Sequence, residues 1–225
     1  MQKLNVRYAK RGRARFTSHR DFSRAFERAL RRAGIPMAYS SGFNPHPRIS
    51  FANAAPTGAA TEAEYLEIGL RERRDPDAVR ADLAAAMPDG LLILEVVDAV
   101  PGGLADALQT SSWHIALPDV PPAVLGRAVT AFLAADAIEV ERMTKNGLRT
   151  FDARAAVLRL RQSAGGLDLV SAQGTPLVRP DDVVAALRKV APDFAPGQPP
   201  LLTRTAQGRW DGDRIVGPFE AHHDT

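Results

Sequence analysis

Hydrophobic and polar residues alternate at the start of the chain, where Leu4, Val6 and Tyr8 are separated by polar residues. A two-residue period is typical of a strand with one buried face. Further on, Ser18 and Asp21 have the spacing of a helix-capping box, and a glycine and a proline follow residue 33. These signals predict a strand near residues 4–8 and then a helix over residues 19–33.

The predicted helix has an apolar side and a basic side. On a helical wheel its apolar side carries Phe22, Phe26, Ala29, Leu30 and Ala33. The opposite side carries Arg20, Arg24, Arg28, Arg31 and Arg32. We therefore expect the aromatic side to anchor the helix and the arginine side to face solvent.

Similar patterns complete a first domain, which we place at residues 1–100. Strands are predicted near residues 48–52, 66–70 and 91–97, and a second helix follows Asp75 and Pro76. The order β-α-β-β-α-β is that of a ferredoxin-like split βαβ unit. Because residues 91–97 are apolar on both faces, we expect them to form a central strand.

The same order recurs after the boundary signal Pro101-Gly102-Gly103, and we place a second α+β domain at residues 110–205. Its predicted strands are residues 113–117, 138–143, 155–161, 167–173 and 201–205. Its predicted helices are residues 124–133 and 180–190, with hairpin turns at Asn146-Gly147 and Gly165-Gly166. One strand is surplus to the ferredoxin-like order. The predicted fold is α+β with tandem ferredoxin-like units, followed by a polar C-terminal tail at residues 206–225.

Composition limits the possible chemistry. The chain has no cysteine, which excludes disulfides, thiolate zinc sites and cysteine-ligated iron–sulfur clusters. Its start is too polar for a secretory signal, and no apolar run approaches the roughly 20 residues that span a bilayer. We therefore expect a cytoplasmic protein with no membrane partner. Phosphate-loop, dinucleotide and HExxH zinc motifs are all missing from the sequence, so we predict neither a metal site nor a cofactor.

Charge is unevenly distributed along the chain. Residues 1–60 hold twelve lysines and arginines against two acidic residues, a net charge of +10, whereas the remainder carries −7. A local excess of positive charge raises the local concentration of polyanions. The alternative is a solvated arginine-rich surface without a function, produced by a general compositional bias toward arginine. The acidic remainder of the chain argues against such a bias as the whole explanation.

Two histidines lie in this basic segment. His19 opens the predicted helix, and His46 lies between two prolines in the stretch SGFNPHP, which is too rich in glycine and proline for regular structure. If folding brought them together near the arginines, they could act as general base and charge stabiliser in phosphodiester cleavage. The competing interpretation, which we favour, is that both are structural residues, because neither has a recognisable carboxylate partner.

Aromatic residues accompany the arginines. Single-stranded nucleic acid is held by cations along its phosphates and by aromatic rings beneath its bases. Phe43, in the stiff loop, is the best candidate for stacking, with Asn44 beside it. Phe16, Phe22 and Phe26 are expected in the core. The predicted nucleic-acid-binding residues are Arg15, Arg20, Arg24, Arg28, Arg31, Arg32, Arg48, Phe43 and Asn44.

Two stretches carry a family resemblance, namely RFTSHRD with RALRRAGIP at residues 15–21 and 28–36, and YSSGFNPHPRISF at residues 39–51. They resemble the bacterial radical SAM-linked protein family, a domain of unknown function, and Glu62, Glu64 and Tyr65 fit the same pattern. The resemblance is specific over roughly residues 3–98 and weaker beyond. There Asp152-Ala153-Arg154 is similar to a family element, although Ala155 replaces the expected proline.

The resemblance implies a partner. Members of this family are encoded beside, or fused to, a radical SAM protein, often near a ribonuclease of the E/G type. Because this chain has no cysteine, it cannot hold the usual three-cysteine iron–sulfur cluster, so it would serve as the helper of the radical enzyme.

Together these observations favour a non-catalytic accessory protein that binds RNA or presents a substrate to a radical SAM enzyme. A metal-independent RNA-processing endonuclease that uses His19 or His46 is the first alternative. A protein-docking adaptor, whose basic face binds an acidic partner without RNA, is the second.

Overall fold

In a computed structural model, the described residues are 1–145 and 147–220. They divide into two compact units, one formed by Met1–Gln109 together with the chain from Ala206, the other by Thr110–Thr205. Both contain helices and strands, which confirms the α+β class. Within the described residues, no helix is long and apolar enough to cross a bilayer.

The first unit begins with the strand that the alternation predicted. Its strands are β1 (Gln2–Lys10), β2 (Ile49–Ala52), β3 (Ala60–Leu70) and β4 (Leu91–Asp98). Its helices are a short 3-10 helix (Gly12–Phe16), α1 (His19–Arg32), α2 (Pro76–Ala86) and α3 (Leu104–Ala107). The antiparallel strand order is β4-β1-β3-β2, with helices following β1 and β3. This is the strand and helix order of a split βαβ unit.

One face of this sheet forms the main core with α1 and α2. The alternation in β1 places Leu4, Val6 and Tyr8 in this core, where all three are buried. Phe22 of α1 stacks on Tyr8 with ring centroids 4.2 Å apart, and Phe26 is buried beside it. The predicted start of α1 is confirmed, because the Ser18 hydroxyl accepts a hydrogen bond from the backbone N–H of Asp21 at 3.1 Å.

The other face of the sheet is covered as well. Tyr65 of β3 packs there in a cluster with Val100, Leu104 and Leu108, and Val97 of β4 contacts the same cluster. The prediction of a central position for residues 91–97 is wrong, since β4 lies at the edge of the sheet, next to β1. These residues are apolar on both faces because each face of β4 contacts a separate apolar cluster.

The prediction of a polar tail is wrong for residues 206–220. Strand β10 (Leu201–Trp210) continues through the predicted boundary and pairs with β11 (Ile215–Val216). The Gln207 amide, which is fully buried, donates to the Ala63 carbonyl of β3 at 2.6 Å. Phe219 is also buried and meets Tyr65 edge-to-face at 5.3 Å between ring centroids. His222 and His223, which belong to the predicted tail, lie outside the described residues.

The second unit contains five strands before β10 and two helices. Its strands are β5 (Thr110–Ala116), β6 (Glu139–Thr144), β7 (Gly147–Asp152), β8 (Val157–Ser163) and β9 (Gly166–Ala172). Its helices are α4 (Pro122–Ala134) and α5 (Pro180–Val190). The strand order is β5-β9-β8, with β10 next to β5. That this unit repeats the ferredoxin-like fold of the first stays an interpretation of the element order.

The surplus strand belongs to a separate two-stranded ribbon of β6 and β7. The sequence analysis missed β7, and Asn146 of the predicted turn lies outside the described residues. Arg142 of β6 anchors the ribbon through an ion pair of 2.5 Å with Asp182, a buried residue of α5 whose pKa is raised by burial. Asp152, in the element that resembles the family, accepts hydrogen bonds from the backbone N–H groups of Ile138 and Arg154, both at 2.8 Å.

Phe219→Ala tests whether the chain beyond residue 206 belongs to the core. Removing a buried phenylalanine side chain costs about 3–5 kcal/mol, so the free energy of unfolding should fall by an amount in this range. Phe43→Ala is the matched control, because Phe43 is fully exposed and its loss should change stability by no more than about 0.5 kcal/mol. Urea unfolding of both variants measures the difference. Equal stability of the two would show that Phe219 is not part of the core.

Candidate functional site

The arginines of α1 form a continuous exposed side of the helix. All five are exposed, whereas the aromatic residues on the opposite side are buried. We call these five residues the basic surface: Arg20, Arg24, Arg28, Arg31 and Arg32. Since α1 has 14 residues, the basic surface extends over about 20 Å.

Three neighbouring cations differ from the basic surface in being paired with carboxylates. Lys3 and Arg7 of β1 pair with acidic residues at 2.8 Å and 3.6 Å. Arg11 donates two hydrogen bonds of 2.7 Å and 2.6 Å to the Glu62 carboxylate, which raise the pKa of its guanidinium. In residues 1–145 and 147–220, no ion pair involves an arginine of the basic surface. Helix α1 therefore carries five arginines without an ion pair among the described residues.

The turn before α1 adds an arginine and an aromatic ring. Phe16 is 59% exposed, so the prediction that it belongs to the core is wrong. The 3-10 helix contributes no buried residue, and the Arg15 guanidinium lies over the Phe16 ring at 4.6 Å from its centroid. Arg15 is half-buried, and its Nε is a buried donor without a hydrogen-bond partner. This pair adjoins the N-terminal end of the basic surface.

The loop of residues 41–47 projects its tip into solvent. Phe43 is fully exposed, and Asn44 beside it is exposed too. Two hydrogen bonds close the base of the loop, one from the Ser40 N–H to the His46 carbonyl at 2.9 Å and one from the His46 N–H to the Ser40 hydroxyl at 3.0 Å. Arg48, also exposed, donates to the Tyr39 carbonyl at 3.3 Å. The loop is therefore held at its base while Phe43 stays free to contact a ligand.

This loop lies against the C-terminal half of α1. A cavity of about 170 Å³ separates them, lined by Glu27, Leu30 and Arg31 of the helix and by Met37, Tyr39, Pro45, His46 and Pro47. Tyr39 is 50% exposed. Exposed aromatic rings thus flank the basic surface at both ends, with Phe16 before α1 and Tyr39 and Phe43 after it.

The two candidate histidines are placed apart. His46 lines the cavity beside the loop, whereas His19 lines a different cavity of about 170 Å³ under the start of α1. The His19 ring meets Phe51 edge-to-face at 4.5 Å between centroids. No hydrogen bond or ring contact joins His19 to His46 within the part of the chain that the structure describes. The arrangement does not form a two-histidine catalytic site.

The cavity under α1 contains functional groups that the sequence analysis missed. Lys10 and Glu64, which are 5% and 1% exposed, line it together with Tyr8. The Glu64 carboxylate accepts a hydrogen bond from the Ala55 N–H at 3.1 Å. The alternation could have revealed both residues, since Lys10 continues the inward positions of β1 and Glu64 lies opposite Tyr8 in the register of β1 and β3.

Over residues 1–145 and 147–220, no three His, Cys, Asp or Glu side chains are grouped closely enough to hold a metal ion. His114 of β5 contacts the Asp168 carboxylate at 3.0 Å, across the pairing of β5 with β9. The hydrogen bonds from His114, Ser163 and Arg161 lower the pKa of Asp168 against the opposing effect of its burial, which is the largest single influence.

Comparisons with known proteins identify a family for this chain but give no function. A family described as "Uncharacterized protein conserved in bacteria (DUF2344)" matches residues 3–180. No curated protein matches the chain. A crystal structure of the first two RRM domains of yeast poly(U) binding protein (Pub1) aligns with 92% of this chain and 100% of that chain, at 11% identity and a TM-score of 0.24. A superposition this loose supports no functional argument.

The separation of the two histidines leads to a prediction about RNA cleavage. Because they line different cavities, we expect no cleavage of end-labelled bacterial RNA by the purified protein in the presence of a chelator. Gel analysis of the labelled RNA after incubation measures this. Specific cleavage that disappears in His19→Ala or His46→Ala would establish the endonuclease alternative.

Proposed function

Because the chain belongs to DUF2344, a family of uncharacterised proteins conserved in bacteria, its role has to be inferred from its own residues, and we propose that it binds single-stranded RNA. The basic surface is the observation that carries this proposal. Its five exposed guanidinium groups lie on one helix without an acidic partner among the described residues. The RNA phosphates would supply the missing negative charge.

Arginine is well suited to this contact. Its planar guanidinium can donate two parallel hydrogen bonds to a phosphate. Neutralising phosphates also releases condensed counterions, which makes binding favourable and strongly dependent on salt. Arg15 and Arg48 would extend the phosphate path beyond the two ends of α1.

The exposed aromatic rings favour a single strand over a duplex. Bases stack on aromatic side chains only when they are unpaired, and each such contact contributes about 1–3 kcal/mol. Phe43 presents its ring at the tip of a loop whose base is fixed, and Phe16 and Tyr39 are also exposed. Asn44 beside Phe43 would donate to or accept from a base edge.

The proposed role is accessory, namely to hold RNA or another substrate for an enzyme that works on it. The basic surface provides binding groups at regular helical spacing, but nothing about that spacing provides a nucleophile or a general base. An RNA endonuclease that uses His19 or His46 would be the conclusion if the cleavage experiment above gave specific products. A surface that binds an acidic protein would be the conclusion if RNA did not bind.

Replacing Arg24 and Arg28 by alanine tests the RNA contact. The two lie one helical turn apart on the exposed side, so folding should be nearly unaffected. Each phosphate contact to a single strand contributes about 0.7 to the slope of log affinity against log salt, so losing two should flatten the slope by about 1.4. Fluorescence anisotropy titrations with labelled RNA at several salt concentrations measure this slope.

A matched control separates a local effect from the loss of net charge. Arg149→Ala with Arg188→Ala removes the same charge from exposed positions of the second unit and should leave the slope unchanged. Thermal melts establish that both double variants are folded. An unchanged slope in the folded Arg24/Arg28 variant would exclude α1 from the RNA-binding surface.

The partner that we propose is a radical SAM protein. The support is the resemblance of residues 15–21, 28–36 and 39–51 to radical SAM-linked proteins, together with the lack of cysteine in this chain. A cysteine-ligated cluster would then have to belong to the partner.

Co-expression with the radical SAM protein encoded nearest to this chain tests the partnership. We expect the two proteins to elute together in size-exclusion chromatography, with or without added RNA. Separate elution under both conditions would contradict a physical complex. Ribonuclease treatment before chromatography distinguishes a direct contact from one that RNA bridges.

A further inference from the structure

The ribbon of β6 and β7 exposes a pair of large apolar side chains. Met143 and Leu148 lie directly opposite each other in its register, and they are 72% and 60% exposed. Facing residues of an antiparallel pair project from the same face with Cβ atoms about 4.5–5.5 Å apart, so these two side chains form one apolar patch. Single exposed leucines are common on protein surfaces, whereas a contiguous apolar patch is typical of an interaction site.

The opposite face of the ribbon holds it against the second unit. Val140 and Phe151, which also face each other across the two strands, are buried. The Arg142 guanidinium lies over the Phe151 ring at 4.9 Å from its centroid. The Lys189 ammonium group of α5 donates to the Glu139 carbonyl at 2.8 Å. These contacts fix which face of the ribbon is turned outward, so the apolar patch is presented in a defined orientation.

The charge of the outward face changes sign along the ribbon. Because side chains alternate along a strand, Glu139 and Glu141 share the face of Met143, and both are exposed toward the base of the ribbon. Lys145, also exposed, begins the turn at the tip. Glu141 and Lys145 are each two residues from Met143, or roughly 7 Å along the chain. Within residues 1–145 and 147–220, neither of them forms an ion pair.

We propose that two copies of this chain associate through these outward faces, with the ribbons antiparallel. A two-fold axis at the level of Met143 and Leu148 brings the apolar patch of one copy onto the same patch of the other. The same rotation places the acidic base of each ribbon opposite the basic tip of the other, so Glu141 meets Lys145 of the second copy. A parallel arrangement would place tip against tip and base against base. The order of charges therefore favours a second copy in the antiparallel arrangement.

The size of the ribbon limits the strength of this contact. Each strand has six residues, of which half face outward, whereas a standard protein interface involves about 20–30 residues on each side. An apolar centre with a charged rim is the usual arrangement of an interface. We therefore expect a weak and reversible dimer. The contact involves no residue of the basic surface, so it goes beyond the proposed RNA binding and does not depend on it.

Sedimentation velocity measures self-association at protein concentrations from about 1 μM to about 1 mM, the range in which a weak dimer forms. We expect the wild-type protein to change from monomer to dimer within this range. Met143→Ser with Leu148→Ser removes the apolar patch and should leave the protein monomeric throughout. Leu133→Ser with Leu158→Ser is the matched control and should keep the dimer, because these leucines are 42% and 44% exposed elsewhere in the second unit.

An exchange of charges tests the antiparallel arrangement. Glu141→Lys alone and Lys145→Glu alone each place like charges opposite one another at two symmetric points. Each should weaken the dimer about tenfold, since an exposed ion pair contributes up to about 1 kcal/mol and two pairs are lost. The two substitutions together restore both attractions and should return the dissociation constant to within about twofold of the wild-type value. Both positions are exposed, so folding should be preserved, and thermal melts establish this for every variant.

Three outcomes would contradict the proposal. A wild-type protein that stays monomeric over the whole range excludes the dimer, whether or not RNA binds. A dimer that persists in the folded Met143/Leu148 variant shows that the copies meet elsewhere. If each single charge reversal weakens the dimer and their combination does not restore it, Glu141 and Lys145 do not face each other.

Discussion

The contact between Tyr8 and Phe22, whose rings stack at 4.2 Å between centroids, determines how α1 lies on the first sheet. Phe22 and Phe26 are buried on the side that faces the strands, so the arginines two positions away, Arg20, Arg24 and Arg28, are turned to solvent. The same contact places His19 over the cavity that Phe22 lines. The basic surface and the cavity both depend on this aromatic packing.

The electrostatic character of the first unit follows from where its acidic residues lie. The carboxylates of β3 and β4 pair with Lys3, Arg7 and Arg11 on and just after the neighbouring strand β1. Helix α1 has only Asp21 and Glu27, and Asp21 accepts a hydrogen bond from the Ser18 hydroxyl at 2.7 Å in the helix cap. The net charge of the whole chain therefore understates how much more positive α1 is than the strands around it.

The sequence was sufficient to predict α1 because its cap, its apolar stripe and its stop signal all agree. The sequence was not sufficient to predict that Phe16 is exposed. Phe16 belongs to a 3-10 helix that buries none of its residues, and no local pattern indicates this. The chain from residue 206 looked polar because Gln207 is polar, yet its amide nitrogen donates to a backbone carbonyl inside the fold. Lys10 and Glu64 were overlooked for a related reason, since charged residues are rarely fully buried and a local pattern does not reveal the cavity that they line.

Because the first unit is discontinuous in sequence, its assembly must follow a particular order during synthesis. The helix-side core is complete once β4 has left the ribosome, so the basic surface can form early. The apolar cover of the opposite face, which begins with Val100, Leu104 and Leu108, is completed only by Phe219. At about 5–20 residues per second, the intervening second unit delays that cover by some 5–20 s. During this interval Tyr65 lacks its edge-to-face neighbour Phe219, while the arginine helix is already packed on the sheet.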